Sequence, residues 1–138
     1  EYTSPEETAV CTLASVSLPA CVHNGAFDFE QLERVTRIVT VNLNRTIDVN
    51  WYPIEQARTS NLKHRPIGIG VQGLADVFQQ LDLPYDSDAA RTLNKQIFET
   101  IYYAALSESV SLAQQFGSYS SFYYSLEIRY QILFVYLN

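Results

Sequence analysis

The chain has 138 residues, of which 47% are hydrophobic and 17% charged, a composition typical of one globular domain and not of a disordered segment. Its formal net charge of −6, with nine Lys and Arg residues in total, argues against nucleic-acid binding, because phosphates are neutralised by clustered basic side chains. No apolar run reaches the roughly 18 residues of a membrane span. Two cysteines are too few for a disulfide framework, which predicts a reducing, cytoplasmic location.

The first predicted element is a strand near residues 8–18, within the stretch "AVCTLASVSLPACV". Its alternation of apolar and polar residues is imperfect, as expected for a strand buried on both faces, and Pro19 should end it. "HNGAF" then predicts a turn. A helix should follow from Phe29 to about Asn50, with Asp28 as its N-cap and Gln31 reaching back to that cap.

The second half of the sequence predicts more helix than strand. Pro53 should start a short helical turn through "IEQART", "SNLKHRP" reads as a polar loop, and "IGIG" predicts a second strand near residues 66–70. "VQGLADVFQQL" predicts a helix, and Asp86 or Ser87 should cap a long one that ends near Gly117. Because the long helix carries two apolar stripes, we expect it to be largely buried. The predicted fold class is α/β with helix in excess and three principal helices.

Cys11 raises the question of whether its thiol is structural or reactive. Cys21 follows ten residues later, and an extended strand would separate the two by about 33 Å, far beyond the ~6 Å of a disulfide. Only a chain reversal at Pro19 could join them. Residue type alone favours a buried structural thiol, whereas a redox role would need a partner thiol from elsewhere.

The stretch "GIGVQG", with Gly68, Gly70 and Gly73, matches the G-x-G-x-x-G pattern of dinucleotide-binding proteins. The context argues against that function, because the preceding segment is polar and contains a proline. Glycines that let a strand turn tightly into a packed helix are the favoured interpretation. A dinucleotide-dependent oxidoreductase remains the weaker alternative.

Other polar residues are candidate sites. His64 and Arg65 could grip a phosphate or carboxylate, although such residues more often bond nearby carbonyl groups. Glu6 and Glu7 could form an acid–base pair, but adjacent strand positions point to opposite faces, so at least one should be solvated. His23 has no second His or Cys at ligand spacing, which predicts no metal site.

Four stretches together change the interpretation: "EYTSPEETAVCTLASVSLP", "VTRIVTVNLNRTIDVNWYP", "SNLKHRPIGIGVQGLADVF" and "LNKQIFETIYYAALSESVSLAQQFG". Over residues 1–117 the sequence resembles the large, catalytic subunit of eukaryotic-type class I ribonucleotide reductase. The resemblance implies a helix-rich fragment of that family's ten-stranded α/β barrel. Because the chain lacks Met and starts with Glu1, we expect it to be a piece of a longer protein. Residues 118–138, aromatic-rich and unlike the family, are expected to be a disordered or self-associating tail.

The resemblance also implies a chemistry. A thiyl radical attacks a ribonucleoside diphosphate, and a pair of cysteines then reduces it for DNA synthesis. Cys11 matches the second cysteine of this reducing pair, and Thr12 replaces the Asn of the family string V-C-N-L-A-S. No cofactor or metal is expected on the fragment itself.

The partners implied by the resemblance lie outside the fragment. They are a small subunit with a di-iron radical centre, thioredoxin or glutaredoxin as reductant, ATP and dNTP effectors on the parent subunit, and a second copy of that subunit. Since most of the active site lies elsewhere in the parent, the isolated chain should be inactive. A non-catalytic helical interaction module is the alternative from another class.

Overall fold

The structure is a computed structural model that describes residues 3–124. Its regular elements, in chain order, are β1 (Leu13–Ser17), a 3₁₀ turn (Leu18–Cys21), β2 (Val22–His23), β3 (Ala26–Phe27), α1 (Phe29–Val49), α2 (Glu55–His64), β4 (Gly68–Gln72), α3 (Leu74–Gln80), α4 (Asp88–Phe116) and a second 3₁₀ turn (Phe122–Tyr124). The helix-rich α/β class is confirmed, whereas a closed barrel is not seen in residues 3–124.

Helices α1 and α4 begin where their capping residues predict. The carboxylate of Asp28 accepts a hydrogen bond from the Gln31 amide at 2.8 Å, and the Ser87 hydroxyl accepts one from the Ala90 amide at 3.1 Å. Each bond satisfies a backbone donor that the first helical turn leaves open. The Gln31 side chain does not reach back to the cap, because it donates to the carbonyl of Ala20 instead.

The hydrophobic core joins the interface of α1 and α4, which run along each other, to buried residues of β1, the first 3₁₀ turn and α3. One stripe of α4 is buried there, as its periodicity predicts, and comprises Ala90, Leu93, Ile97, Ile101 and Ala104. The expectation that α4 is largely buried was wrong. Its second stripe faces outward, with Phe98 at 43% and Tyr102 at 56% exposure, because α1 covers a single face.

The strands form two small sheets. β1 and β4 pair in parallel, in a register that runs from Leu13 opposite Gly68 to Ser17 opposite Gln72, while β2 and β3 form a short antiparallel hairpin. The predicted first strand was too long at both ends. Residues 8–12 precede β1, and the chain turns into 3₁₀ geometry at Leu18, where Pro19 fits the first turn.

Helix α2 is the main departure from the predicted elements. The sequence predicts a short helical turn and then a polar loop, but the helix continues to His64 and makes a fourth helix among the described residues. It ends at Arg65, which adopts a left-handed conformation with φ +46°. Its inward face is polar, since Ser60 and Asn61 are buried. Apolar periodicity therefore gave no signal for this helix.

Candidate functional site

Cys11 lies in the segment directly before β1, and its side chain is exposed. Hydrogen bonding between this segment and β4 begins at Thr12, the residue after Cys11, because the Gly68 amide donates to the Thr12 carbonyl at 2.9 Å. The expectation of a buried structural thiol, which rested on residue type alone, was wrong for Cys11. Cys11 also lies outside a strand, although the sequence predicts strand over residues 8–18, since strand pairing starts at Leu13.

Cys21 has the opposite environment. It is 1% exposed and belongs to the hydrophobic core. Burial, together with the nearby negative charge of Asp28, raises the pKa of its thiol, which disfavours the reactive thiolate. Cys11 is exposed and Cys21 is buried, and that the two do not pair with each other stays a prediction.

Thr12 is buried and connects the start of β1 to helix α2. Its hydroxyl oxygen accepts a hydrogen bond from Asn61 Nδ2 at 3.3 Å. The same Nδ2 donates to the hydroxyl of Tyr52 at 2.7 Å, and that hydroxyl donates to the Ile47 carbonyl at 2.8 Å. A chain of hydrogen bonds therefore joins the residue after Cys11 to α2 and to the last turn of α1. Sequence reasoning missed Asn61 and Tyr52, because the polar face of α2 resembles a loop.

Glu7, Lys63 and His64 form a second polar cluster. The buried carboxylate of Glu7 contacts Lys63 Nζ and lies 2.5 Å from His64 Nε2. Hydrogen bonds from Lys63 and then His64 hold the pKa of Glu7 below its ordinary value. His64 Nδ1 also lies 2.8 Å from the Ser121 hydroxyl. Glu6 is exposed, which confirms that one of the two adjacent glutamates is solvated.

Arg65 binds groups of its own chain. Its guanidinium contacts both carboxylate oxygens of Asp48, at 2.8 and 2.9 Å, and also the side chain and carbonyl of Asn44. The hydrogen bonds from Arg65 hold the pKa of Asp48 below its ordinary value. Arg65 and His64 therefore grip carboxylates, as the sequence allowed, but these carboxylates come from α1 and from the N-terminal segment.

The glycines of "GIGVQG" serve the turn between β4 and α3. Gly73 has φ +75° and precedes α3, and a Cβ there would meet the Pro19 ring at 2.6 Å. At Gly68 a Cβ would meet the end of the Leu13 side chain at 2.6 Å, whereas Gly70 has ordinary space. The interpretation of a tight, closely packed strand-to-helix turn is thus confirmed at Gly73.

A family model described as "Ribonucleotide reductase, barrel domain" matches residues 1–133. The chain belongs to the ribonucleotide reductase barrel family. The match continues past residue 117, and the division of the chain into residues 1–117 and 118–138 remains a prediction.

Curated relatives agree with the family. A ribonucleoside-diphosphate reductase large chain 2 of Saccharomyces cerevisiae is 56% identical over 128 residues, which cover 88% of this chain and 15% of the relative. Large subunits of Arabidopsis thaliana and Trypanosoma brucei brucei are 54% and 58% identical, again over 88% of this chain, and over 17% and 15% of their own lengths. The chain therefore spans about a sixth of these reductase subunits. These relatives do not favour the helical-module or dinucleotide-oxidoreductase alternatives.

Among residues 3–124, no group of three or more His, Cys, Asp and Glu side chains is arranged to hold a metal ion. Within the same range, no helix combines the length and apolarity needed to cross a bilayer. Of the tail expected over residues 118–138, the part up to Tyr124 is described, and Ser121 there hydrogen-bonds to Lys63 and His64 of α2; the expectation for residues 125–138 lies outside the described residues.

Proposed function

We propose that this chain is part of the catalytic barrel of a ribonucleoside-diphosphate reductase large subunit, and that Cys11 is one of its two reducing thiols. The parent enzyme would convert ribonucleoside diphosphates into deoxyribonucleoside diphosphates by a thiyl-radical mechanism. The observation that carries the proposal is the family match over residues 1–133. The exposed position of Cys11, beside the start of a parallel strand pair, supports it.

The proposed chemistry is a two-electron reduction. Two thiols give up two protons and two electrons and form one disulfide, while the 2′ hydroxyl of the substrate leaves as water. Thioredoxin or glutaredoxin would then reduce the disulfide by thiol exchange, which requires an accessible sulfur. Cys11 meets that requirement, whereas the core position of Cys21 does not.

The partners belong to the parent enzyme. A small subunit with a di-iron radical centre would generate the radical, ATP and deoxynucleotides would bind the large subunit as effectors, and two large subunits would associate in the cytoplasm. No metal or other cofactor is assigned to the residues of this chain.

The test uses the full-length large subunit that contains this segment. Cys11→Ser should abolish multiple turnover with thiol reductants, because the disulfide can no longer form, and should leave nucleotide binding nearly unchanged, since a hydroxyl is close to a thiol in size. Cys21→Ala is the matched control and should retain turnover. Wild-type turnover in Cys11→Ser would contradict the proposed role.

The isolated 138-residue chain provides a second test. Reduction needs a radical cysteine, a carboxylate and two thiols around one sugar, and such sites lose about 100-fold in rate when one group shifts by about 1 Å. With Cys11 alone from that set, we expect no deoxynucleotide from the chain, small subunit and reductant. Product that disappears in a Cys11→Ser control would contradict the view that the rest of the site lies elsewhere.

A further inference from the structure

The orientation of the Asn61 amide follows from its hydrogen bonds. The Tyr52 hydroxyl has one proton, which it donates to the Ile47 carbonyl, so it must accept from Asn61. The group at 2.7 Å from Tyr52 is therefore the Asn61 NH₂. The same NH₂ group donates its second proton to the Thr12 hydroxyl oxygen at 3.3 Å.

Thr12 is consequently held from two sides. Its carbonyl accepts from the Gly68 amide of β4, and its hydroxyl accepts from Asn61 of α2. Cys11 is attached directly to this residue, and consecutive Cα atoms are about 3.8 Å apart. The peptide that carries the thiol is thus anchored at its carboxyl end, although the thiol itself is exposed.

Asn61 holds this position at an energetic cost. It is 1% exposed, and its Oδ1 is a buried acceptor without a hydrogen-bond partner among the described residues. A buried polar atom in this state is destabilising, and it calls for a reason beyond packing. The two donated bonds to Thr12 and Tyr52 supply a reason, because they require an amide NH₂ at this point on α2.

We propose that Asn61 is a positioning residue for Cys11. By holding the Thr12 hydroxyl it sets the direction from which the Cys11 sulfur meets its partner thiol. Disulfide formation depends on this direction, since it tolerates a narrow range of separations and dihedral angles. The inference rests on the proposed function, in which Cys11 is a reducing thiol.

The decisive experiment is Thr12→Val in the full-length large subunit. This nearly isosteric change removes the acceptor for Asn61 and keeps Tyr52 bonded. We expect kcat with thiol reductants to fall about 10- to 100-fold, KM to stay unchanged, and the midpoint potential of the Cys11 disulfide to shift. Asn61→Ala should act in the same direction, and Thr12→Ser, which keeps the hydroxyl, should restore wild-type values.

Thr40→Val is the matched control. It removes another buried threonine hydroxyl, one that bonds the Thr36 carbonyl within α1. If Thr12→Val leaves kcat and the midpoint potential at the Thr40→Val values, the positioning role is overturned. If Asn61→Ala does not fold, Thr12→Val decides the question alone. Failure of the proposed function is recognised separately, because Cys11→Ser would then retain turnover.

Discussion

The α1–α4 helix pair and the β1–β4 strand pair differ in how much of each is buried from solvent. The helix pair contributes fully buried side chains to the core, with Leu32 of α1 and Ile97 of α4 inaccessible to solvent. Within residues 3–124 the sheet of β1 and β4 has two strands, and no residue of β4 is fully buried. Leu13, at the start of β1, is 69% exposed.

The buried helices and the exposed strand pair therefore have different roles, the first in stability and the second in the proposed chemistry. The helices supply most of the core, whereas the proposed reactive thiol stands at the incompletely covered strand pair. A thiol that must exchange with partners needs access, and an apolar helix interface cannot provide it. The following predictions test this separation, from the largest expected effect to the smallest.

The largest effect is expected in the helix pair. Ile97→Ala should lower the free energy of unfolding by about 2–5 kcal/mol, because it removes a buried side chain and leaves a cavity. Phe98→Ala, at the next position on the exposed stripe, should cost clearly less. Urea unfolding of both variants measures the difference. Equal losses would show that α4 is not covered on one face alone.

The second-largest effect on stability is expected in the turn between β4 and α3. Gly73→Ala should destabilise the chain by about 1–2 kcal/mol for its left-handed backbone alone, and the contact with Pro19 adds to that cost. Gly70→Ala should change stability by about 0.5 kcal/mol or less, because a Cβ there meets ordinary contacts. The midpoints of thermal unfolding report both, and a neutral Gly73→Ala would contradict the tight-turn interpretation.

The alkylation rates of the two thiols compare the exposed segment before β1 with the core directly. Iodoacetamide should alkylate Cys11 at least about tenfold faster than Cys21, since a buried thiol reacts only after local opening, and tenfold corresponds to about 1.4 kcal/mol. Peptide mass spectrometry over time gives both rates in one sample. Similar rates would mean that Cys21 is not held in the core.

The smallest effect concerns the carboxylate of Glu7. Because its pKa is lower in the folded chain than the ordinary 4.5, the stabilisation is present above that value and is lost as the pH falls through the lowered pKa. Glu7→Gln should therefore show a shallower loss of unfolding free energy on acidification than wild type. Glu6→Gln, at the exposed neighbour, should follow the wild-type curve, and identical curves for all three would refute the Glu7 contacts.

The long helices could be predicted because their signals are local. Asp28 and Ser87 cap them, and their apolar residues recur at helical spacing. Helix α2 could not be predicted, because its buried face holds Ser60 and Asn61 beside the small Ala57, and its hydrogen-bond partners lie far away in sequence. Hydrogen bonds between distant residues leave no periodic pattern.

The candidate site could be predicted only in part, and from a family resemblance instead of local patterns. Cys11 was identified by its resemblance to a family string, whereas residue type alone pointed to a buried thiol. Its exposure is a property of the folded chain that no local pattern predicts, and the register of β1, which begins to pair at Leu13, depends on the distant β4. Asn61, Tyr52 and Lys63 had no recognisable motif, since each acts through side-chain contacts that only the folded chain creates.

The parallel pairing of β1 with β4 has a consequence for the order of folding. Helices α1 and α2 both lie between the two strands in the sequence, so a long loop must close before the first strand finds its neighbour. On a ribosome, β1 emerges well before β4 has been synthesised, and its backbone groups stay open to other chains until then. A nascent chain stalled before residue 68 should therefore be especially prone to aggregate.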